Sequence, residues 1–125
     1  MPKIVHLALK VEDLEKATDF YQKVFGFSPV GTSVLRDHTS RHMSDGAIDL
    51  ALMKYDYESP EALVSGEGPC IHHFGIEVEN LEASVEAARA AGCEILSPPG
   101  EIPVKFRDPN GVVAELVPAG RYKKP

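Results

Sequence analysis

Tryptophan is absent from this chain of 125 residues, and cysteine occurs only twice, at Cys70 and Cys93. Their spacing matches neither a CxxC redox pair nor a zinc-ligand set. Both therefore read as reduced thiols, which suits the cytoplasm. Cations are in short supply too. Thirteen Lys and Arg face 19 Asp and Glu, giving a net charge of −6 and an isoelectric point of about 5.3. That balance argues against nucleic acid and anionic membrane surfaces, which select basic patches. No apolar run approaches the length of a membrane span. The opening MPKIVHLALK lacks the apolar core of a signal peptide, so a cytoplasmic location is expected.

What the chain does contain is a near repetition. Residues 4–17 read IVHLALKVEDLEKA and residues 71–84 read IHHFGIEVENLEAS; at this offset of 67, six of fourteen positions are identical. Later, IDLA at 48–51 answers AELV at 114–117. A repeat of this period indicates a duplicated supersecondary unit. It also duplicates polar residues, pairing His6 with His73 and Asp49 with Glu115. A site at the pseudo-two-fold between the copies is the natural reading.

Each copy opens on an alternating stretch. Val5, Leu7 and Leu9 share one face of a strand, and Ile4, His6, Ala8 and Lys10 the other. Asp13 then offers a helix cap, and Leu14, Ala17, Tyr21 and Val24 recur at helical spacing until Gly26. Asn80, the stripe Leu81, Val85 and Ala88, and Gly92 repeat the scheme. Strands are expected near 28–36, 39–45 and 47–54, then a short one after Gly92, with DPNG at 108–111 as a turn and a last strand at 112–117. The expected fold is therefore α+β: two repeated βαβββ modules forming a curved, mixed, eight-stranded sheet with helices on the convex face. At this length one domain, 1–125, is expected, with module one at 1–57, a linker at 58–69, module two at 70–118 and a frayed tail at 119–125.

Strand parity then sorts the polar residues. His6, Asp49, His73 and Glu115 are flanked by residues of the helix-covered side, so all four belong to the concave face. Two imidazoles and one or two carboxylates converging in a cup make a divalent-metal site. His72 falls on the helix side by the same parity and reads as structural. The polar stretch LRDHTSRHMSDG forms a wall of the cup. His38 and His42 point inward by parity and Arg41 outward. His42 is the candidate proton shuttle, and Arg41 would mark an anionic substrate if it pointed in. Tyr55 and Tyr57 are within reach of the cup or of a dimer contact. Lys105 and Arg107 read as surface charge, or as partners of an anionic substrate.

These residues, taken in order, resemble the vicinal oxygen chelate superfamily, the glyoxalase I, bleomycin-resistance and extradiol dioxygenase group. The likeness runs from Ile4 to Pro118 and rests on IVHLALKVEDLEKATDFYQKVFGF, HHFGIEVENLEAS and FRDPNGVVAELVP. The resemblance implies one divalent metal ion (Fe, Zn, Ni, Mn or Co) held by His6, His73 and Glu115. At the fourth position relatives resemble one another in carrying Glu or Gln, where this chain has the shorter Asp49. Asp49 is thus expected to bind poorly, through water or behind a ligand. The implied function is glyoxalase- or epimerase-like lyase or isomerase chemistry on a small substrate chelated through vicinal oxygens. Glu115, Asp49 and His42 would be catalytic; His38, Arg41 and Tyr55 would contact substrate. One alternative is an extradiol ring-cleaving dioxygenase on a two-His, one-carboxylate iron site. The other is a non-catalytic drug- or metabolite-binding resistance protein. Unpaired sheet edges and an open cup also predict a homodimer.

Overall fold

A computed structural model describes residues 1–122. Its elements are β1 Lys3–Lys10, α1 Leu14–Phe25, β2 Ser28–Val34, β3 His38–Ser44, β4 Asp49–Tyr55, β5 Cys70–Val78, α2 Leu81–Ala90, β6 Glu94–Ile95, β7 Val104–Arg107 and β8 Val113–Pro118, with a single 3-10 turn at Ala62–Ser65. The strands form one sheet in the order β2-β3-β4-β1-β5-β8-β7-β6. Read from the centre outward, the order is the same in both copies. The two opening strands, β1 and β5, pair antiparallel across the middle, and each pairs in parallel with the last strand of its own module. This is the expected α+β sheet of two βαβββ units.

Local chemistry sets the helix limits. Asp13 and Asn80 each sit in extended backbone and accept a hydrogen bond from the amide three residues on, at Lys16 and Ala83. Each such cap is worth about 1 kcal/mol. Gly26 ends α1 with φ 74°, a left-handed conformation that costs glycine nothing. The apolar stripe of α1 (Leu14, Ala17, Tyr21) packs on Met43, Leu50 and Leu52, and that of α2 (Leu81, Val85) on Phe106, Ala114 and Leu116. Helix packing thus covers one face of the sheet and leaves the other for the site. Among the described residues no helix is long and apolar enough to cross a membrane.

Residues 58–69 were expected only to connect the modules, but they are anchored. Lys10, buried on β1, donates its ammonium hydrogens to the carbonyls of Ala62 (2.9 Å) and Gly66 (2.8 Å). Ala62 is fully buried with Ala8, Ala51, Met53 and Tyr55. The segment therefore packs on the concave face, and Pro60, Glu61 and Val64 line the cavity there.

Two further expectations fail. His72 does not lie on the helix side. The β1–β5 register passes from Ala8↔His73 to Leu9↔Ile71, so His72 is an extra residue in a bulge. A bulge breaks the alternation, and His72 turns to the same side as His73. The tail is not frayed throughout either. The Gly120 amide donates to Glu77, and Tyr122 lies in the cup. The remainder of that expected tail, residues 123–125, lies outside the described residues.

Candidate metal centre

Four central strands bring the repeated polar residues together. His6 on β1 stands beside Asp49 on β4 in the parallel register and faces Gly75 on β5, which in turn stands beside Glu115 on β8. His73 lies two residues before Gly75 on the same face. Gly75 is the enabling gap. A Cβ there would lie 2.9 Å from the His6 Cβ and 3.4 Å from the Glu115 Cγ. All four side chains, His6, Asp49, His73 and Glu115, are buried.

Proton bookkeeping shows what this cluster lacks. The Glu61 carbonyl can only accept, so His72 donates to it from Nε2, at 2.8 Å. His72 Nδ1 is then bare and accepts the Nδ1 proton of His73, at 2.7 Å. Burial holds both imidazoles below their usual range, His72 down to about 4, so both are neutral at pH 7. His73 is therefore left with a bare lone pair on Nε2. On the other side His6 donates from Nδ1 to Asp49, which bares its Nε2 as well. These two nitrogens lie 3.3 Å apart. Each is 3.2 Å from an oxygen of Glu115. Burial alone would raise the Glu115 pKa, but any proton entering the cluster settles on the His73 or His6 imidazole rather than on Glu115, and with the Lys105 ammonium nearby the carboxyl stays well below its ordinary value.

Three possible metal donors thus converge: His6 Nε2, His73 Nε2 and the Glu115 carboxylate. Donors at metal bond lengths of about 2.1 Å and near-right angles would be about 3 Å apart, close to the spacing found. The residues fit a divalent ion bound by His6 Nε2, His73 Nε2 and Glu115. Asp49 stands behind this triangle. It accepts from His6 and, at 2.9 Å to each oxygen, from His42 Nδ1. Burial would raise its pKa, yet these two imidazoles keep it lowered. Asp49 therefore holds the rings of His6 and His42 in place through their Nδ1 protons.

The centre forms the floor of a cavity of about 890 Å³. His38 and His42 both line it. His42 turns its Nδ1 to Asp49 and leaves Nε2 free on a partly exposed ring. His38 is tied to Asp37 (2.8 Å) and faces Glu61 (3.5 Å). Arg41, expected as a substrate contact if inward, lies on the opposite face. Its guanidinium donates to Glu15 (2.7 Å) and Thr18 (3.0 Å) of α1. Alternation along β3 places it there. Tyr55, the other expected contact, does not line the cavity. It is buried behind the wall and donates to Glu61 at 3.1 Å.

Three residues of the site, Tyr122, Glu61 and Gly75, escaped the sequence reading. Tyr122 stacks on His6, with ring centroids 4.5 Å apart and planes 6° from parallel. Its hydroxyl donates to Glu115 at 2.8 Å. Burial and the Glu115 charge raise its pKa, so it remains a donor. Glu61 comes from the supposed linker, and Gly75 is the gap described above. Lys105 was read as surface charge or as a partner of an anionic substrate; its side chain is only 17% exposed and stands over Glu115, so it is not surface charge. The alternation VKFR, with Phe106 on the helix side, carried the signal for Lys105; nothing local signals Tyr122.

Comparison with known proteins gives a consistent picture. The model of the Glyoxalase/Bleomycin resistance protein/Dioxygenase superfamily matches residues 3–116. The chain is 29% identical to a probable lactoylglutathione lyase of Vibrio cholerae, over 92% of this chain and 89% of that protein. It is 34% identical to a trivalent organoarsenical cleaving enzyme of a Bacillus species, over 66% of this chain and 45% of that protein. Among solved structures, a Streptomyces coelicolor methylmalonyl-CoA epimerase variant superposes with a TM-score of 0.79 at 22% identity, covering 94% of this chain and 97% of that one.

Proposed function

We propose, because the chain belongs to the Glyoxalase/Bleomycin resistance protein/Dioxygenase superfamily, that it is a divalent-metal enzyme performing lyase or isomerase chemistry on a small substrate chelated through vicinal oxygens. The observation that carries this reading is the convergence of His6 Nε2, His73 Nε2 and the Glu115 carboxylate within 3.3 Å of one another on a buried floor. A divalent ion at that point supplies Lewis acidity to a chelating substrate. His6, His73 and Glu115 hold it, and Tyr122 keeps the Glu115 carboxylate in place. His42 moves the proton. Its Nδ1 is fixed on Asp49, so its Nε2 faces the cavity as an acceptor, and Asp49 stabilises the imidazolium that forms. The buried floor limits water around the reacting atoms.

A second reading has specific support. With Asp49 turned to the imidazoles, the site is a two-His, one-carboxylate face, the arrangement suited to iron(II) and dioxygen. One experiment separates the two. The protein is loaded in turn with cobalt and with iron(II), then given small 2-hydroxy ketones in deuterated water, or catechols under air. The lyase or isomerase reading expects deuterium at the carbon beside the carbonyl and no oxygen uptake. Stoichiometric oxygen consumption with a catechol would replace it with the dioxygenase reading.

The same reading includes a homodimer. Phe20, Val24 and Phe25 on α1 are each at least half exposed, more apolar surface on one helix than a solvated face needs. A monomeric mass by sedimentation at micromolar concentration would reject it.

A further inference from the structure

Lys105 is the one feature of the floor that the metal-holding scheme leaves without a task. It projects from β7 directly opposite Glu115 in the β7–β8 register. Its neighbours Val104 and Phe106 pack on the helix side, so the lysine is forced into the cup. Its ammonium lies 3.7 Å from Glu61 Oε1 and 3.7 Å from Glu115 Oε2. Both distances exceed a hydrogen bond. Among the described residues its ammonium has no hydrogen-bond acceptor, although its three hydrogens stand in a mostly buried side chain that lines the cavity.

Neither carboxylate is short of partners. Glu61 accepts from Tyr55, and Glu115 accepts from Tyr122. An ion on His6, His73 and Glu115 would draw on the Glu115 charge further. It would also leave two cationic centres, the ion and Lys105, on either side of one carboxylate. Glu115 would then be shared between two cations, and a further anion from the substrate would offset more of their repulsion.

From this arrangement we infer that Lys105 selects the substrate class: small 2-oxo or 2-hydroxy carboxylates, whose carboxylate supplies one chelating oxygen and turns its other oxygen to the Lys105 ammonium. The inference rests on the metal reading above and deepens it. A neutral ketone or a catechol has no third oxygen at that position and would leave the ammonium with only the two carboxylates at 3.7 Å and no hydrogen-bond acceptor among the described residues. Charge-assisted hydrogen bonds of this kind are the strong ones. Lys105 would therefore contribute mainly to binding and to holding the substrate in one orientation.

The test uses the cobalt-loaded protein and two small chelators, followed by calorimetry and by the visible cobalt spectrum. Oxalate has carboxylate oxygens beyond its chelating pair; acetohydroxamate has none. In Lys105→Gln, oxalate affinity should fall by about tenfold or more, while acetohydroxamate affinity stays within about threefold. Lys105→Arg, which keeps the charge, should retain most of the oxalate affinity. Cobalt affinity should be unchanged or higher in Lys105→Gln, because a neighbouring cation has been removed. Equal oxalate affinity in Lys105→Gln and wild type would overturn the inference. So would a parallel loss of both chelators in Lys105→Arg and Lys105→Gln, which would mark a structural role. Failure of the wild-type protein to take up cobalt would instead overturn the metal reading on which the inference stands.

Discussion

His6 is held on every side that is not aimed at the metal site. Asp49 takes its Nδ1 proton, Gly75 makes room for its Cβ, and the Tyr122 ring covers its face. Tyr122 also donates to Glu115, so one side chain positions two of the three metal donors. Partners of this kind are typically worth ten- to a hundredfold in metal affinity. Tyr122→Phe keeps the stack and loses the hydrogen bond, and should weaken cobalt binding by about tenfold in a competition titration. Tyr122→Ala should weaken it more; equal affinity in all three proteins would remove Tyr122 from the site. His72 acts one step further out by fixing which nitrogen of His73 carries the proton. Its pKa falls from the ordinary 6.5 to about 4 in the fold. The unfolded chain therefore binds the extra proton first. The stability this group contributes is complete above pH 6.5 and is lost as the pH falls toward 4, by about 3 kcal/mol in all. Unfolding free energies measured from pH 7 to 4 should decline less steeply in His72→Gln, by about that amount. Parallel slopes in the two proteins would contradict this.

Among the elements, the strands decide which residues meet. Periodicity, the two capping residues and the stop at Gly26 were all readable, because each depends on local chemistry. The inward direction of His42 and the outward direction of Arg41 were readable too, since alternation in β3 is unbroken. The side of His72 was not, because parity counts residues and a bulge adds one without a local signature. The docking of Tyr122 was equally hidden, since a tail residue finds His6 and Glu115 only once β1 and β8 are in place on either side of β5. Gly75 is legible only with hindsight. Its role appears when β1 and β8 flank it. Gly75→Ala would place a methyl group 2.9 Å from the His6 Cβ, where the strands cannot easily part. A loss of about 1–3 kcal/mol is expected from denaturant unfolding, with weaker metal binding. Gly31→Ala on β2, with nothing within 4 Å of the added atom, should change stability by no more than about 0.5 kcal/mol. Similar effects at the two positions would remove the steric argument.

For the whole molecule, duplication explains why the site exists where it does. Of the proposed metal donors, module one supplies His6 and module two supplies His73 and Glu115, so neither module holds that set alone. Pairing β1 with β5 across the pseudo-two-fold brings the two sets together over the sheet centre. The two copies are not equivalent at the site. Glu115 in the second copy faces the two bare nitrogens, while Asp49 in the first has withdrawn behind His6 and His42. That asymmetry leaves three donors where full symmetry would give four, and it sets how much of a substrate's oxygen can be accommodated. The most direct test is to titrate the metal-free protein with cobalt and count the ions bound per chain in wild type, His73→Ala and Asp49→Ala. The account predicts one ion per chain in wild type, a loss of that binding in His73→Ala, and one ion bound about tenfold more weakly in Asp49→Ala. Retention of wild-type stoichiometry and affinity in His73→Ala would contradict it.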